Sequence, residues 1–144
     1  MSKNLTLQND WIFKSPVMGD HIRVKRPFYY HHGIYVSDSE VIHFNTDSLG
    51  DGLLGDAVII SSTLKEFLDL GKCEVKSYGL SLLEKPYQPE IVVERAISRL
   101  GESGYNVAIN NCEQFAEWCK TGMHRSRQIE HILIKILGKI FKRK

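Results

Sequence analysis

His31-His32-Gly33-Ile34-Tyr35-Val36 and Val41-Ile42-His43-Phe44, separated by Ser37-Asp38-Ser39-Glu40, decide how this chain folds. Both runs are rich in β-branched and aromatic residues, and the polar spacer reads as the turn of an antiparallel hairpin. The turn sets which side chains share a face. A two-residue turn pairs Val36 with Val41 and puts His32 on the face of His43, with apolar residues split over both faces. A three-residue turn (Asp38-Ser39-Glu40) pairs Ser37 with Val41 and Tyr35 with His43. One face then carries His31, Gly33, Tyr35 and His43, and the other carries Ile34, Val36, Ile42 and Phe44. The second register separates polar from apolar better and is the expected one. It selects His31 over His32 as the companion of His43.

Outward from the hairpin, Ile22 and Val24 alternate with polar neighbours in Asp20–Arg26, a strand that Pro27 ends. Gly50-Asp51-Gly52 and Gly55 form a loop, Ala57–Ile60 a short buried strand, and Cys73–Tyr78 another strand. Thr63-Leu64-Lys65-Glu66 is a capping box, opening a helix with Leu64, Phe67 and Leu68 on one face and Gly71 as its stop. Pro89 suits the first turn of a helix whose stripe is Val93, Ala96, Ile97 and Leu100, ending at Gly101. Asn111-Cys112-Glu113-Gln114 is a second capping signature. Its helix carries Cys112, Phe115, Ala116 and Cys119 on one stripe and closes at Gly122. Strands first and helices later, without βαβ alternation, predict an α+β fold with an antiparallel sheet packed with helices.

At 144 residues the chain is one domain by the usual span of about 100–200 residues. With 42% apolar and 25% charged residues, disorder and low complexity are excluded as the main state. No secretory signal reads in Met1–Asp20, and three cysteines without CxxC spacing suggest neither a disulfide framework nor a zinc knuckle. A reducing, cytoplasmic setting is expected. The charge is uneven: residues 120–144 carry +7 and the preceding 119 carry −5. The expected division is therefore a main domain over residues 1–123 and a basic amphipathic helix over residues 124–144. Ile129–Phe141 would be about 20 Å long as a helix, short of a hydrocarbon core of about 30 Å. Lys135, Lys139 and Lys142 oppose its apolar stripe, which suits either an anionic membrane surface or docking on the domain itself. Nucleic acid is the weaker use of this charge, because no aromatic residues interleave with it.

A helix-start cysteine such as Cys112 meets free N–H groups that favour a thiolate and can receive an oxyanion. The alternative is a small apolar residue on a buried stripe. A nucleophilic thiol also needs a histidine base held by a third group, and His31 with His43 on one strand face can supply both. Taken singly, a strand histidine of this kind is more often half-buried with satisfied hydrogen bonds, and it is two on one face together with a helix-start cysteine that point to a site. A zinc site from His31, His43 and Cys112 has no ligand-pair spacing behind it, so no metal or cofactor is expected. His21, His124 and His131 read as surface residues, and Cys73 and Cys119 as structural.

The His31–Val36 and Val41–Phe44 runs, with Asn111-Cys112-Glu113-Gln114-Phe115-Ala116 and an opening Gly19-Asp20-His21-Ile22, resemble the lecithin–retinol acyltransferase family over roughly Pro16 to Gly122. The resemblance implies a circularly permuted papain-like fold with the nucleophile at a helix start. By position it implies Cys112 as nucleophile, His31 as general base and His43 as orienting partner. It implies an acyl-enzyme drawn from a phospholipid ester and passed to water, an amine or an alcohol. Gln114 departs from the pattern, standing where many members have a second histidine. The other readings are a cysteine peptidase or amidase, and a catalytically silent membrane- or protein-binding module.

Overall fold

The computed structural model describes residues 10–45, 57–79, 85–104 and 108–123. Its elements are β1 (Trp11–Phe13), β2 (His21–Lys25), β3 (Tyr30–Ser37), β4 (Glu40–Phe44), β5 (Ala57–Ser62), α1 (Leu64–Leu68), β6 (Glu74–Lys76), α2 (Pro89–Ser98), β7 (Ser103–Gly104) and α3 (Ala108–Thr121). The strands pair antiparallel in the order β1-β6-β2-β3-β4-β5-β7. This is the α+β architecture expected from strands that precede helices. The Gly50–Gly55 loop and the basic helix of residues 124–144 lie outside the described residues.

The hairpin corrects the expected turn while keeping its consequence. Ser37 pairs with Glu40 across the two residues Asp38-Ser39, and the register then shifts between Tyr35 and Ser37. Tyr35 thus faces Val41, Ile34 faces Ile42 and Gly33 faces His43. A tight turn plus a bulge has the parity of a longer turn, since the extra residue moves every side chain beyond it to the other face. The turn is held by side chains: the Tyr35 hydroxyl donates to Asp38 at 2.6 Å, and the Ser39 amide donates to Ser37 Oγ at 3.3 Å.

Both faces of the central strands are covered. On one side Ile22, Val24, Tyr35, Val41 and Val75 pack around Phe67 of α1. On the other, Ile34, Ile42, Phe44, Ala57 and Ile59 pack against Val92 and Ala96 of α2 and Cys112, Phe115, Ala116 and Cys119 of α3. This double cover overturns the reading of His21 as a surface residue. His21 lies opposite Ile34 in the β2–β3 ladder, on the α3 side, and is fully buried.

The capping box forms as expected. Glu66 N–H donates to Thr63 Oγ1 at 3.0 Å and Thr63 N–H donates to Glu66 Oε1 at 2.9 Å. The α1 stop is Asp69 in the left-handed region rather than Gly71. Pro89 is indeed in the first turn of α2, but the buried stripe is Val92 and Ala96, leaving Ile97 and Leu100 exposed. A helix with apolar residues at 91, 92, 93, 96 and 97 offers two overlapping stripes, and packing on Phe115 and Trp118 selects the one centred on Val92. Arg95 helps to fix that choice, since its Nε donates to the Trp118 carbonyl at 3.1 Å and its guanidinium lies over the Trp118 ring. Gly122, at φ +81, follows α3 and stands against the Tyr87 hydroxyl, where a Cβ would collide. β1 and β7 had no sequence signal: three and two residues are too short for any periodicity.

Candidate active site

β3 and β4 present His31 and His43 to the α1 side of the sheet. The two rings meet nearly perpendicular, with His31 Nε2 3.0 Å from His43 Nδ1. Phe67 forms the platform beneath both, 4.8 Å from the His31 ring and 5.2 Å from the His43 ring, centroid to centroid. Gly33 lies between them in parity, and a Cβ there would press on Phe67, Val41 and His43. The missing side chain is what lets the rings and Phe67 close on one another.

His43 is held from two further directions. Its Nε2 is 2.8 Å from Ser62 Oγ, and its Nδ1 is 2.8 Å from the Phe44 carbonyl. The carbonyl can only accept, so it competes with His31 for one hydrogen. A proton on His43 Nδ1 serves Phe44, and a proton on His31 Nε2 serves His43. Ser62 escaped the sequence reading because only the β4–β5 pairing brings it to His43.

The other nitrogen of His31 is the exceptional atom. Nδ1 is buried and has no hydrogen-bond partner among the described residues. Burial holds the His31 imidazole well below its ordinary pKa, with His43 and Arg26 adding to the effect, so the ring is neutral at pH 7. An unpartnered, neutral, buried imidazole nitrogen costs stability and is poised to accept or donate a proton.

Cys112 comes from α3, and its environment differs from the expected one. The helix starts at Ala108, one turn before Asn111, so Asn111 is not its N-cap and Cys112 lies in the second turn. The thiol packs with Ile34, Ile42 and Phe44 on the α3 side and is fully buried. Its sulfur nevertheless reaches the strand that carries His31. Sγ–H donates to the Tyr30 carbonyl at 3.8 Å, beyond the point where β4 stops pairing with β3. Burial pushes the thiol up to about 12, with the Glu113 carboxylate adding to the rise. The backbone N–H groups of His32, Glu113 and Cys112 itself act in the opposite direction, toward the thiolate. The structure therefore joins His31 to His43 directly, and sets the Cys112 sulfur against main chain on either side of His31. The other two thiols are also raised by burial, Cys119 to about 12 and half-buried Cys73 to about 11.

A second polar cluster, absent from the sequence reading, lies on the α3 side of β2 and β3. His32 Nδ1 and His21 Nε2 are 2.8 Å apart, and His21 Nδ1 is 2.8 Å from the Tyr78 hydroxyl. That hydroxyl donates to Glu117 Oε2 at 3.1 Å, and Lys76 Nζ donates to the same oxygen. Trp11 meets both imidazoles edge-on. Lys120, counted by charge with the basic tail, instead donates to the Gly19 carbonyl at 3.0 Å and is part of the domain. His124 and His131 lie outside the described residues.

Comparison with known proteins agrees with the family resemblance. The family model for lecithin retinol acyltransferase matches residues 14–125. The lecithin retinol acyltransferase of Rattus norvegicus is 32% identical over 142 residues, covering 83% of this chain and 61% of that protein. Phospholipase A and acyltransferase 3 of Homo sapiens is 27% identical over 132 residues, covering 83% of this chain and 79% of its own length. Protein LEAD-SENSITIVE 1 of Arabidopsis thaliana is 32% identical, covering 73% of this chain and 57% of its own length. The chain thus spans about three-fifths of the lecithin retinol acyltransferases it matches. With the match running from before the first central strand to just beyond the cysteine helix, the chain belongs to the lecithin retinol acyltransferase family.

Proposed function

We propose that this chain is a thiol-dependent phospholipase/acyltransferase with Cys112 as nucleophile, His31 as general base and His43 as the group that orients His31. The observation that carries the reading is His31 Nδ1, which has no partner among the described residues while its other nitrogen is held by His43; the Cys112 sulfur reaches the same strand from the α3 side, at the carbonyl of Tyr30, the residue before His31. The required tautomer has His31 Nε2–H donating to His43 Nδ1, which leaves a lone pair on His31 Nδ1. A thiol held near 12 and a neutral imidazole are not a resting ion pair. The proton therefore moves during attack. Sγ bonds to the ester carbonyl carbon as His31 Nδ1 takes the thiol proton, and the carbonyl oxygen becomes an oxyanion. Collapse breaks the bond to the glycerol oxygen, which leaves with the proton from His31. Water, an amine or an alcohol then attacks the thioester by the same steps in reverse.

The names of the relatives support phospholipid esters as the substrate class. The proposal includes the permuted papain-like arrangement, a catalytic domain over residues 1–123, a cytoplasmic peripheral protein, and residues 124–144 as a basic contact with anionic membrane. A second reading, a silent binding module, is favoured by the full burial of Cys112. Incubation of the full chain with phosphatidylcholine, followed by mass spectrometry, separates the two. The expected result is one acyl group on Cys112, and a Cys112→Ser variant should fold normally and lose at least about 10⁴-fold of turnover. An unmodified Cys112 during lipid turnover, or full activity in the serine variant, would remove the thiol mechanism.

A further inference from the structure

Two of the most exposed apolar side chains lie on neighbouring loops at the His31 end of the sheet. Phe28, in the turn between β2 and β3, is 86% exposed, and Leu70, between α1 and β6, is 101% exposed. Single exposed apolar residues are ordinary, but these two are held out by structure. Arg26 ties the two loops together, its Nη1 donating to the Leu68 carbonyl at 3.1 Å and its Nη2 to the Phe67 carbonyl at 2.6 Å. Gly71 packs so closely on Val24 that a Cβ there would collide. Asp69 and Leu70 both adopt positive φ, 45° and 72°, a costly conformation for a leucine whose side chain is left fully exposed.

We propose that this edge docks on an anionic phospholipid bilayer, with Phe28 and Leu70 entering the headgroup–acyl boundary. The proposal rests on the phospholipid reading above and adds the surface by which substrate is met. Charge complementarity selects the occupant. Residues 25–30 and 64–72 together carry +2, through Lys25, Arg26, Lys65 and Lys72 against Glu66 and Asp69, whereas residues 1–119 as a whole carry −5. A locally basic, apolar-tipped edge on an otherwise acidic domain suits anionic headgroups over an apolar core. The edge is also continuous with the candidate site. Tyr29, next to Phe28, stands edge-on to the His31 ring, and the carbonyl of Tyr30 accepts from the Cys112 thiol. Phe67, the platform under His31 and His43, lends its carbonyl to the Arg26 tie.

The test is co-sedimentation of the full chain with vesicles of phosphatidylcholine and phosphatidylserine. A Phe28→Ser/Leu70→Ser double variant should lose about 100-fold in vesicle partitioning, because two apolar side chains no longer leave water. Its melting temperature should hold, since both side chains are exposed. Phe28→Trp should bind more tightly than the parent, and Lys25→Glu/Lys72→Glu should weaken binding most at low salt. Vesicle binding by the serine double variant equal to the parent overturns the proposal. So does loss of self-association or of protein capture in that variant without loss of vesicle binding. Reduced binding in the variant with no acylation of Cys112 in the parent would retain this edge and reject the phospholipase reading. Acylated Cys112 with unchanged binding would do the reverse.

Discussion

β3 separates two histidine pairs that look alike and are wired differently. His31 and His43 meet through Nε2 and Nδ1 at 3.0 Å on the α1 side, and His21 and His32 through the same atom types at 2.8 Å on the α3 side. All four rings are buried. In the His21–His32 pair, every proton has one consistent place. Glu117 only accepts, so Tyr78 donates to it, His21 Nδ1–H donates to Tyr78, and His32 Nδ1–H donates to His21 Nε2. That cluster is a fixed chain ending on a carboxylate paired with Lys76. The His31–His43 pair instead has two acceptors competing for one hydrogen and a nitrogen with no partner among the described residues. A satisfied network stabilises its fold, whereas an unsatisfied one has a free valence for chemistry. Under the proposed mechanism the α3-side pair serves stability and the α1-side pair serves catalysis.

The largest effect that can break this division is on turnover. His31→Ala should lower turnover of a phospholipid ester, per folded molecule, by about 10³-fold. His32→Ala should leave turnover per folded molecule within about 10-fold while lowering stability, because His21 Nε2 loses its donor. If His32 proves the essential residue, the catalytic base sits on the α3 side, with Cys112, and the assignment reverses.

Next in size is the anchor of the satisfied chain. Glu117→Ala leaves Lys76 mostly buried without its carboxylate and removes the acceptor of Tyr78. Breaking one partner of a buried ion pair typically costs about 3–5 kcal/mol. Denaturant melts should show a loss of that order, together with an intact His31–His43 pair by histidine NMR. A loss under about 1 kcal/mol would mean that the chain contributes little to the fold.

Much of this contrast was legible in the residues, and the part that was not has a physical cause. Parity within one hairpin is local, so His31 and His43 were assigned to one face even though the turn is two residues and a bulge rather than three residues. The bulge restores the same parity. The capping box at Thr63 and the closing Gly122 are equally local. Alternation says which residues share a face, and not whether both faces are covered, so it cannot show that His21 is buried. Burial of a whole strand depends on α1 and α3 arriving from distant sequence. The same holds for Tyr78, Lys76 and Glu117, whose meeting depends on β6 lying beside β2 with α3 across them. Asn111-Cys112-Glu113-Gln114 resembles a cap and so suggests a start for α3 one turn late, while the helix continues back through Asn110 and Ile109 to Ala108.

Protonation gives a third, smaller effect on stability that both pairs share. His21, His31 and His32 are all held below the ordinary histidine value by burial, His32 to about 3. Their unfolded counterparts take up protons near pH 6.5 and the folded forms do not. The stabilisation is therefore complete above that pH and declines as pH falls toward the folded values. Between pH 6.5 and 5.5 each should cost about 1 kcal/mol, about 3 kcal/mol together. Denaturant melts at pH 7.5, 6.5 and 5.5 should show this fall, and His21→Phe should reduce its slope by about one proton. Stability that stays level across this range would place the rings in contact with water.

The smallest effect sharpens the comparison most cleanly, because it acts on one pair only. Thr63→Ala removes the side-chain acceptor of the capping box and should cost about 1 kcal/mol of stability. α1 is only five residues long, so it has little propagation to hold it once the cap is lost. Its one fully buried side chain is Phe67, which supports both His31 and His43. Ser62, the neighbour of Thr63, is also bonded to His43. Loosening this turn should shift the ring signals of His31 and His43 and lower turnover a few-fold. The His21 and His32 signals, on the far face of the sheet and anchored by Glu117, should not move. Equal shifts in all four rings would mean that the two faces are mechanically one unit, and that the separation of a stabilising pair from a catalytic pair does not hold.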